Sequence, residues 1–315
     1  MTSPKQSRPA RGWTRRAAAL LTAVLAATAA CATREQPATP APTAAQVSFP
    51  VTVTPPGGAP LTVPARPERI VSLSSTATEG LFALGAGGQV VAVDDQSSYP
   101  AEAPRTDLSG LTPNVEAIAA KSPDLVVASG DPGGLVAGLA KLRVPVLVLA
   151  SAKTLDDVYT ELDVLGRATG HPADDLVARM RSDIERVVAA TPKKRLTYYH
   201  ELDQTLYSAT SSTFIGQVYG LFGLTNIADA ADATGSGYPQ LSAEYVIAAN
   251  PSLVFLADVK CCGQSAQTVA ARPGWSTVDA VRAGRVTALD DDIASRWGPR
   301  VVDLVRVVAD AVAKA

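Results

Sequence analysis

Short apolar runs punctuate the chain from Ile70 onward, at 70–73, 90–93, 144–149, 196–199 and 286–289. Amphipathic stretches alternate with them. Runs that are apolar on both faces suit strands of a parallel sheet, and strand–helix alternation predicts right-handed crossovers between them. Two further runs sit in a repeat. Glu116-Ala117-Ile118-Ala119-Ala120-Lys121-Ser122-Pro123-Asp124-Leu125-Val126-Val127 aligns without gaps on Glu244-Tyr245-Val246-Ile247-Ala248-Ala249-Asn250-Pro251-Ser252-Leu253-Val254-Phe255, at an offset of 128 residues. Each copy reads as a short helix, a proline break and a buried strand. The expected fold is therefore α/β: two Rossmann-like lobes with parallel sheets.

Between the lobes, Leu176, Val177, Met180, Ile184, Val187 and Val188 recur at helical spacing, with Pro172 near the start and Pro192 beyond the end. A helix of about 19 residues spans roughly 30 Å and makes a stiff connector. The organisation this predicts is a first lobe over 64–171, a backbone helix over 172–192 and a second lobe over 193–315. Thr76-Ala77-Thr78-Glu79 matches a capping box at the start of the helix after the first strand, which places Glu79 on an exposed first turn.

Residues 1–30 read as a leader. Lys5, Arg8, Arg11, Arg15 and Arg16 precede the apolar stretch 17–30, which is too short to span a bilayer. Arg15-Arg16 leaves both the general and the twin-arginine export routes open. Thr28-Ala29-Ala30-Cys31 resembles a lipobox, in which Cys31 becomes the lipidated first residue. Residues 31–63, rich in Pro, Ala and Thr, read as a disordered tether. The expected location is thus outside the cell membrane, held to its outer face by lipid.

Loss of the leader leaves 23 basic residues against 30 acids, about −7, which argues against a nucleic-acid binder. Two cysteines remain, the neighbours Cys261 and Cys262. A vicinal disulfide, free thiols and contact with a ligand are all open to them.

The search for catalytic chemistry yields little. There is no Gly-x-Ser-x-Gly elbow and no phosphate-cradling loop. His200-Glu201-Leu202-Asp203-Gln204 begins like a zinc-protease helix but ends in Gln204. His171 reads as a loop residue, and two histidines cannot build a multi-histidine cage for bare zinc or manganese. One alternative function stays open: an exported α/β hydrolase pairing His200 with a serine of 208–212. Another is an anchored adhesin or sensory partner.

Several motifs in order then carry a resemblance. They are Arg69-Ile70-Val71-Ser72-Leu73-Ser74 with Thr78-Glu79 and Leu84-Gly85, Ser98-Tyr99-Pro100, Ser122-Pro123-Asp124-Leu125-Val126, Gly284-Arg285-Val286 and Trp297-Gly298-Pro299-Arg300. Over residues 64–315 the chain resembles the cobalamin and ferric-siderophore substrate-binding proteins of ABC importers. The resemblance implies a class III periplasmic-binding-protein fold, a monomer without cofactor, resident metal or catalytic residues, and a permease with its ATPase as partners. It implies a metal chelate held between the lobes. The ligand-binding candidates are Gln96 and Tyr99 in the first lobe and Tyr199, Tyr238, Arg296 and Trp297 in the second. The first-lobe aromatic of cobalamin binders falls near Gly110. Haem is a further expectation, through Tyr198, Tyr199 or His200 as iron ligand. The family also presents one acid per lobe to permease arginines. Glu79 matches the first by position, whereas 214–223 carries no acid, which leaves Asp229 or Asp232 as substitutes.

Overall fold

The computed structural model describes residues 47–315. The leader, Cys31 and the tether as far as residue 46 lie outside those residues. The tether expected over 31–63 ends too late, however. Val51–Val53 (β1) and Leu61–Val63 (β2) pair antiparallel, and Val51, Val53 and Val63 are buried against Val164, Leu165 and Ala168. The alternation Val-Thr-Val and Leu-Thr-Val sets this face. Pro55, Pro56 and Pro60, which made the stretch look disordered, all lie in the loop between the strands.

The first lobe continues with β3 (Ile70–Leu73), α1 (Ser75–Ala83), β4 (Val90–Val93), α2 (Val115–Ala119), β5 (Leu125–Ala128), α3 (Leu135–Lys141), β6 (Val146–Val148) and α4 (Leu155–Thr169). Its sheet is parallel in the order β4-β3-β5-β6. The connector α5 (Asp174–Ala190) follows. The second lobe holds β7 (Thr197–Glu201), α6 (Phe214–Gly220), β8 (Thr225–Asn226), α7 (Ala243–Ala249), β9 (Leu253–Leu256), α8 (Val259–Cys262), α9 (Ala266–Ala270), α10 (Asp279–Arg282), β10 (Val286–Ala288), α11 (Asp291–Ala294) and α12 (Val301–Lys314). Its parallel sheet runs β10-β9-β7-β8.

The sequence repeat is a structural repeat: α2–β5 corresponds to α7–β9. Its break is built the same way twice, with Ser122 at φ +51° and Asn250 at φ +45°, each just before a proline. A left-handed residue ends the helix and the proline keeps it from resuming.

The lobes share packing. Helix α4 gives Val164, Leu165 and Ala168 to the first-lobe core, and Val158, Tyr159 and Leu162 to a core that includes α5, α12 and β9. Met180 and Ile184 of α5 and Val301, Leu304, Val305 and Val308 of α12 complete that second core. Rotating one lobe against the other would therefore unpack buried side chains, which limits closure to small movements.

Candidate functional site

The loops at the carboxyl ends of the two sheets meet at a seam, the place where ligands enter open parallel sheets. From the first lobe come Ser74 after β3, the Gln96–Ser98 loop after β4 and Leu149 after β6. From the second come Asp290, Asp292, Arg296 and Trp297 after β10. Ser98 Oγ donates to Asp292 Oδ2 at 3.2 Å, and Arg296 Nη2 donates to the Gln96 carbonyl at 2.9 Å. Arg296 also grips Asp292 Oδ1 at 2.8 Å.

Glu79 lies at the heart of the seam, not on a surface. Helix α1 starts at Ser75 and is capped by Ser74, whose Oγ accepts from Ala77 N at 3.3 Å, so the capping box expected from Thr76 does not form. Thr78 turns its hydroxyl inward to Ser72 and Ser97. Glu79, one turn in, is 3 % exposed. Its carboxylate accepts from Arg296 Nη1 at 2.9 Å and from Arg300 Nε at 2.8 Å, and Arg300 Nη2 closes the fork. The pairing with Glu79 pushes the Arg300 guanidinium further up. Arg300 stacks 4.2 Å over the Tyr99 ring. The exposed carboxylate expected for permease docking is thus corrected: both oxygens are occupied by second-lobe arginines.

Tyr99, with Glu79, Arg179 and Arg306, lines a 390 Å³ cavity on the α5 side of this ion cluster. Its walls mix charges of both signs and do not include Asp292, Arg296 or Lys260. Trp297 is half-buried. It fills the groove between α1 and α4 beside Ser74, Thr76 and Leu149, leaving about 20 Å³ free. Gly80 allows that groove, since a Cβ there would stand 3.0 Å from Leu165. Glu161 of α4 shares this wall at 6 % exposure. Burial, and secondarily Asp157, pushes its carboxyl up to about 8.

Of the ligand candidates, the seam gathers Gln96, Arg296 and Trp297, whereas Tyr99 stacks on Arg300 and faces the α5-side cavity. Tyr238 is 53 % exposed, in the loop whose Gly237 lies against Thr213 and Thr210. Tyr199 is a correction. It is fully buried and packs edge-on against Trp275 at 5.9 Å. Tyr198 donates its packing to Tyr219 and Phe255, and its hydroxyl accepts from Asn226 at 2.7 Å. His200 is fully buried too, with Nδ1 2.9 Å from the Tyr219 hydroxyl, and burial pushes it down to about 4. None of the three can reach an iron atom in the cleft, and a hydrolase cannot use His200 as base. Strand β7 is central and covered on both faces, so neither side of it faces solvent. Of the expected substitutes for docking, Asp232 accepts from Ser236 N and Gly237 N within its own turn, and Asp229, which is exposed, accepts from Ser211 N of the loop before α6.

Sequence reasoning missed Lys260 and Asp292, and gave Ser98 and Arg300 no role although their motifs were noted. Lys260 Nζ bridges Asp290 Oδ2 at 2.8 Å and Asp292 Oδ2 at 3.1 Å. Cys261 and Cys262 are joined by a disulfide. Gly110 leaves no room for an aromatic wall, because a Cβ would stand 2.5 Å from the Leu73 carbonyl oxygen.

Comparison with known proteins fits this geometry. The model of the periplasmic binding protein family matches residues 70–293. The chain belongs to that family. It is 30 % identical over 277 residues to the uncharacterized ABC transporter substrate-binding lipoprotein YvrC of Bacillus subtilis, covering 84 % of this chain and 86 % of the relative. It is 32 % identical over 283 residues to the cobalamin-binding protein of Halobacterium salinarum, covering 84 % and 74 %. Among solved structures, the periplasmic heme-binding protein RhuT of Roseiflexus superposes with a TM-score of 0.67 at 27 % identity, covering 78 % of this chain and 99 % of that one. As a periplasmic binding protein of this type, the chain has the two-lobe, helix-linked architecture of class III.

Proposed function

We propose that this chain is the exported capture component of an ABC importer, lipid-anchored through Cys31, that holds a metal chelate between its lobes and delivers it to a permease driven by an ATPase. The observation that carries the reading is the seam: strand-end loops of two parallel sheets meet in a charged interlobe contact rather than in a catalytic constellation. Gln96, Arg296 and the Lys260–Asp292 pair form its polar walls. Relatives named for cobalamin and heme support a chelate of the corrin, haem or siderophore class. The absence of room at Gly110 gives cobalamin no advantage over a ferric siderophore.

Docking follows from the repeat. Glu116 and Glu244 open the first turns of α2 and α7 at equivalent positions, and both are exposed. An acid from each lobe, related by the internal symmetry, suits a permease dimer carrying paired arginines. These two replace Glu79 and the absent acid of α6 as the docking pair.

The test is a titration of the mature chain with cyanocobalamin, haemin, a ferric tris-catecholate and a ferric trihydroxamate. Trp297 borders the seam whereas Trp275 is 1 % exposed inside the second lobe, so an emission change reports on the seam. Saturable quenching with a raised thermal midpoint supports the reading. No response to any of the four removes it.

A further inference from the structure

A disulfide between sequence neighbours cannot staple a fold. Cross-links stabilise by closing loops in the unfolded chain, and here there is no loop to close. What Cys261–Cys262 does is local: it ties two side chains into one compact ring that presents polarizable sulfur. Its surroundings show where that ring is presented. Helix α8 begins at Val259, three positions past the last residue of β9, at the carboxyl end of the strand where the lobes meet. Lys260, the residue before the pair, donates to the same Asp292 Oδ2 that accepts from Ser98 of the first lobe. One carboxylate thus separates the disulfide segment from the opposite lobe.

The segment is held firmly below and exposed above. Asp291 accepts from the backbone N–H of Val259, Lys260 and Cys261 at 2.9–3.0 Å. Asp258, immediately before α8, is fully buried, and burial together with Glu201 pushes its carboxyl up. Glu201 in turn is clamped by Arg272 through two 2.6 Å bonds. Above this base Cys261, Cys262 and Gly263 are all exposed, and Gly263 at φ +67° turns the chain away. The bridged sulfurs are not thiolates, so they are poor ligands for the metal itself and suit its organic periphery instead.

We propose that the Cys261–Cys262 disulfide is a ligand-contacting wall of the interlobe cleft, one that takes the face of a conjugated ring, the macrocycle or catecholate periphery of the chelate. This rests on the functional reading above and adds the ring chemistry to it. Sulfur–aromatic contact of the usual strength corresponds to about 2- to 12-fold in affinity.

The experiment is protection from reduction. A water-soluble phosphine reduces the exposed disulfide to two thiols; the sulfurs gain two electrons and two protons, and the phosphine becomes its oxide with oxygen from water. Alkylation and mass measurement follow the rate. Cyanocobalamin, haemin or ferric tris-catecholate, whichever binds, at ten times its Kd should slow reduction about tenfold, because free protein alone reacts. An unchanged rate overturns the proposal. The variant Cys261→Ala/Cys262→Ala checks it separately. Its thermal midpoint should stay within about 2 °C of the parent, since no loop is released. Its affinity for the ring-bearing chelate should fall about 2- to 12-fold, while that for a ferric trihydroxamate, which has no conjugated ring, stays unchanged. Equal loss for both chelates, a midpoint drop beyond about 5 °C, or no loss at all overturns it. If no ring-bearing chelate, cyanocobalamin included, binds the parent, the proposal falls; if none of the four binds, the functional reading falls with it. Binding with unprotected sulfurs removes this proposal alone.

Discussion

Replacing Glu79 with Gln keeps the shape of the side chain and removes its charge. In the structure that charge meets three donors on two arginines of the other lobe, at 2 % side-chain exposure. The glutamine retains one acceptor and brings an amide that cannot accept, so at least one guanidinium N–H loses its partner. Arg296 then keeps Asp292 as an ion-pair partner, whereas Glu79 is the only salt-bridge partner of Arg300 among the described residues. Removing one partner of a buried pair costs about 3–5 kcal/mol, and the retained acceptor brings this to about 3. For a body of this size that is a fall of roughly 6–12 °C in thermal midpoint. Equilibrium urea unfolding of Glu79→Gln, Arg300→Gln and the double variant measures it. The cycle should show the double variant less destabilised than the sum of the singles, by about 2 kcal/mol. A cost below about 0.5 kcal/mol with additive singles is what a solvent-exposed acid would give, and would refute the buried strut.

Further outcomes follow from the same geometry. Glu161 is neutral in the fold up to about 8 against an ordinary 4.5, so its folded value is raised and stability should fall as pH rises between those values. Allowing for some residual solvent contact, Glu161→Gln should be more stable than the parent at pH 8.5 by about 2 kcal/mol and similar at pH 4.5, read by urea unfolding; parallel pH profiles contradict it. His200 is pushed the other way, from 6.5 to about 4, so its share of stability is present above 6.5 and lost as pH falls through 4, about 3 kcal/mol in all. His200→Gln should flatten that acid limb. Glu116→Arg and Glu244→Arg should each abolish permease-dependent chelate uptake in reconstituted vesicles while leaving the Kd of the chelate for the isolated chain unchanged. Uptake at parental rates in both variants refutes that docking pair.

Much of the architecture was legible because it rests on local rules. The apolar runs report strands buried on two faces, and the proline after Ser122 and Asn250 marks the same helix stop in each lobe. The connector follows from periodicity, and α5 spans Asp174–Ala190 within the expected 172–192. What was not legible depends on partners distant along the chain. Glu79 finds Arg296 and Arg300 from 217 and 221 residues away, and the local Thr–Glu spacing points to a cap that Ser74 actually supplies. Tyr199 and His200 look amphipathic as types, yet β7 lies between β9 and β8 and is covered on both faces. The β1–β2 hairpin escaped because three prolines dominate its composition, although they occupy the turn. Arg300 stood in a noted motif, but a motif gives no direction for a side chain.

The proposed position of the cargo is between the strand-end loops of the two lobes. Anomalous diffraction from crystals grown with a bound iron or cobalt chelate locates the metal directly. One strong peak is expected between the lobes, beside Gln96, Asp292, Arg296 and the Cys261–Cys262 ring. A metal peak in the α5-side cavity beside Arg179 and Arg306, or on an outer surface with the seam unchanged, would contradict it.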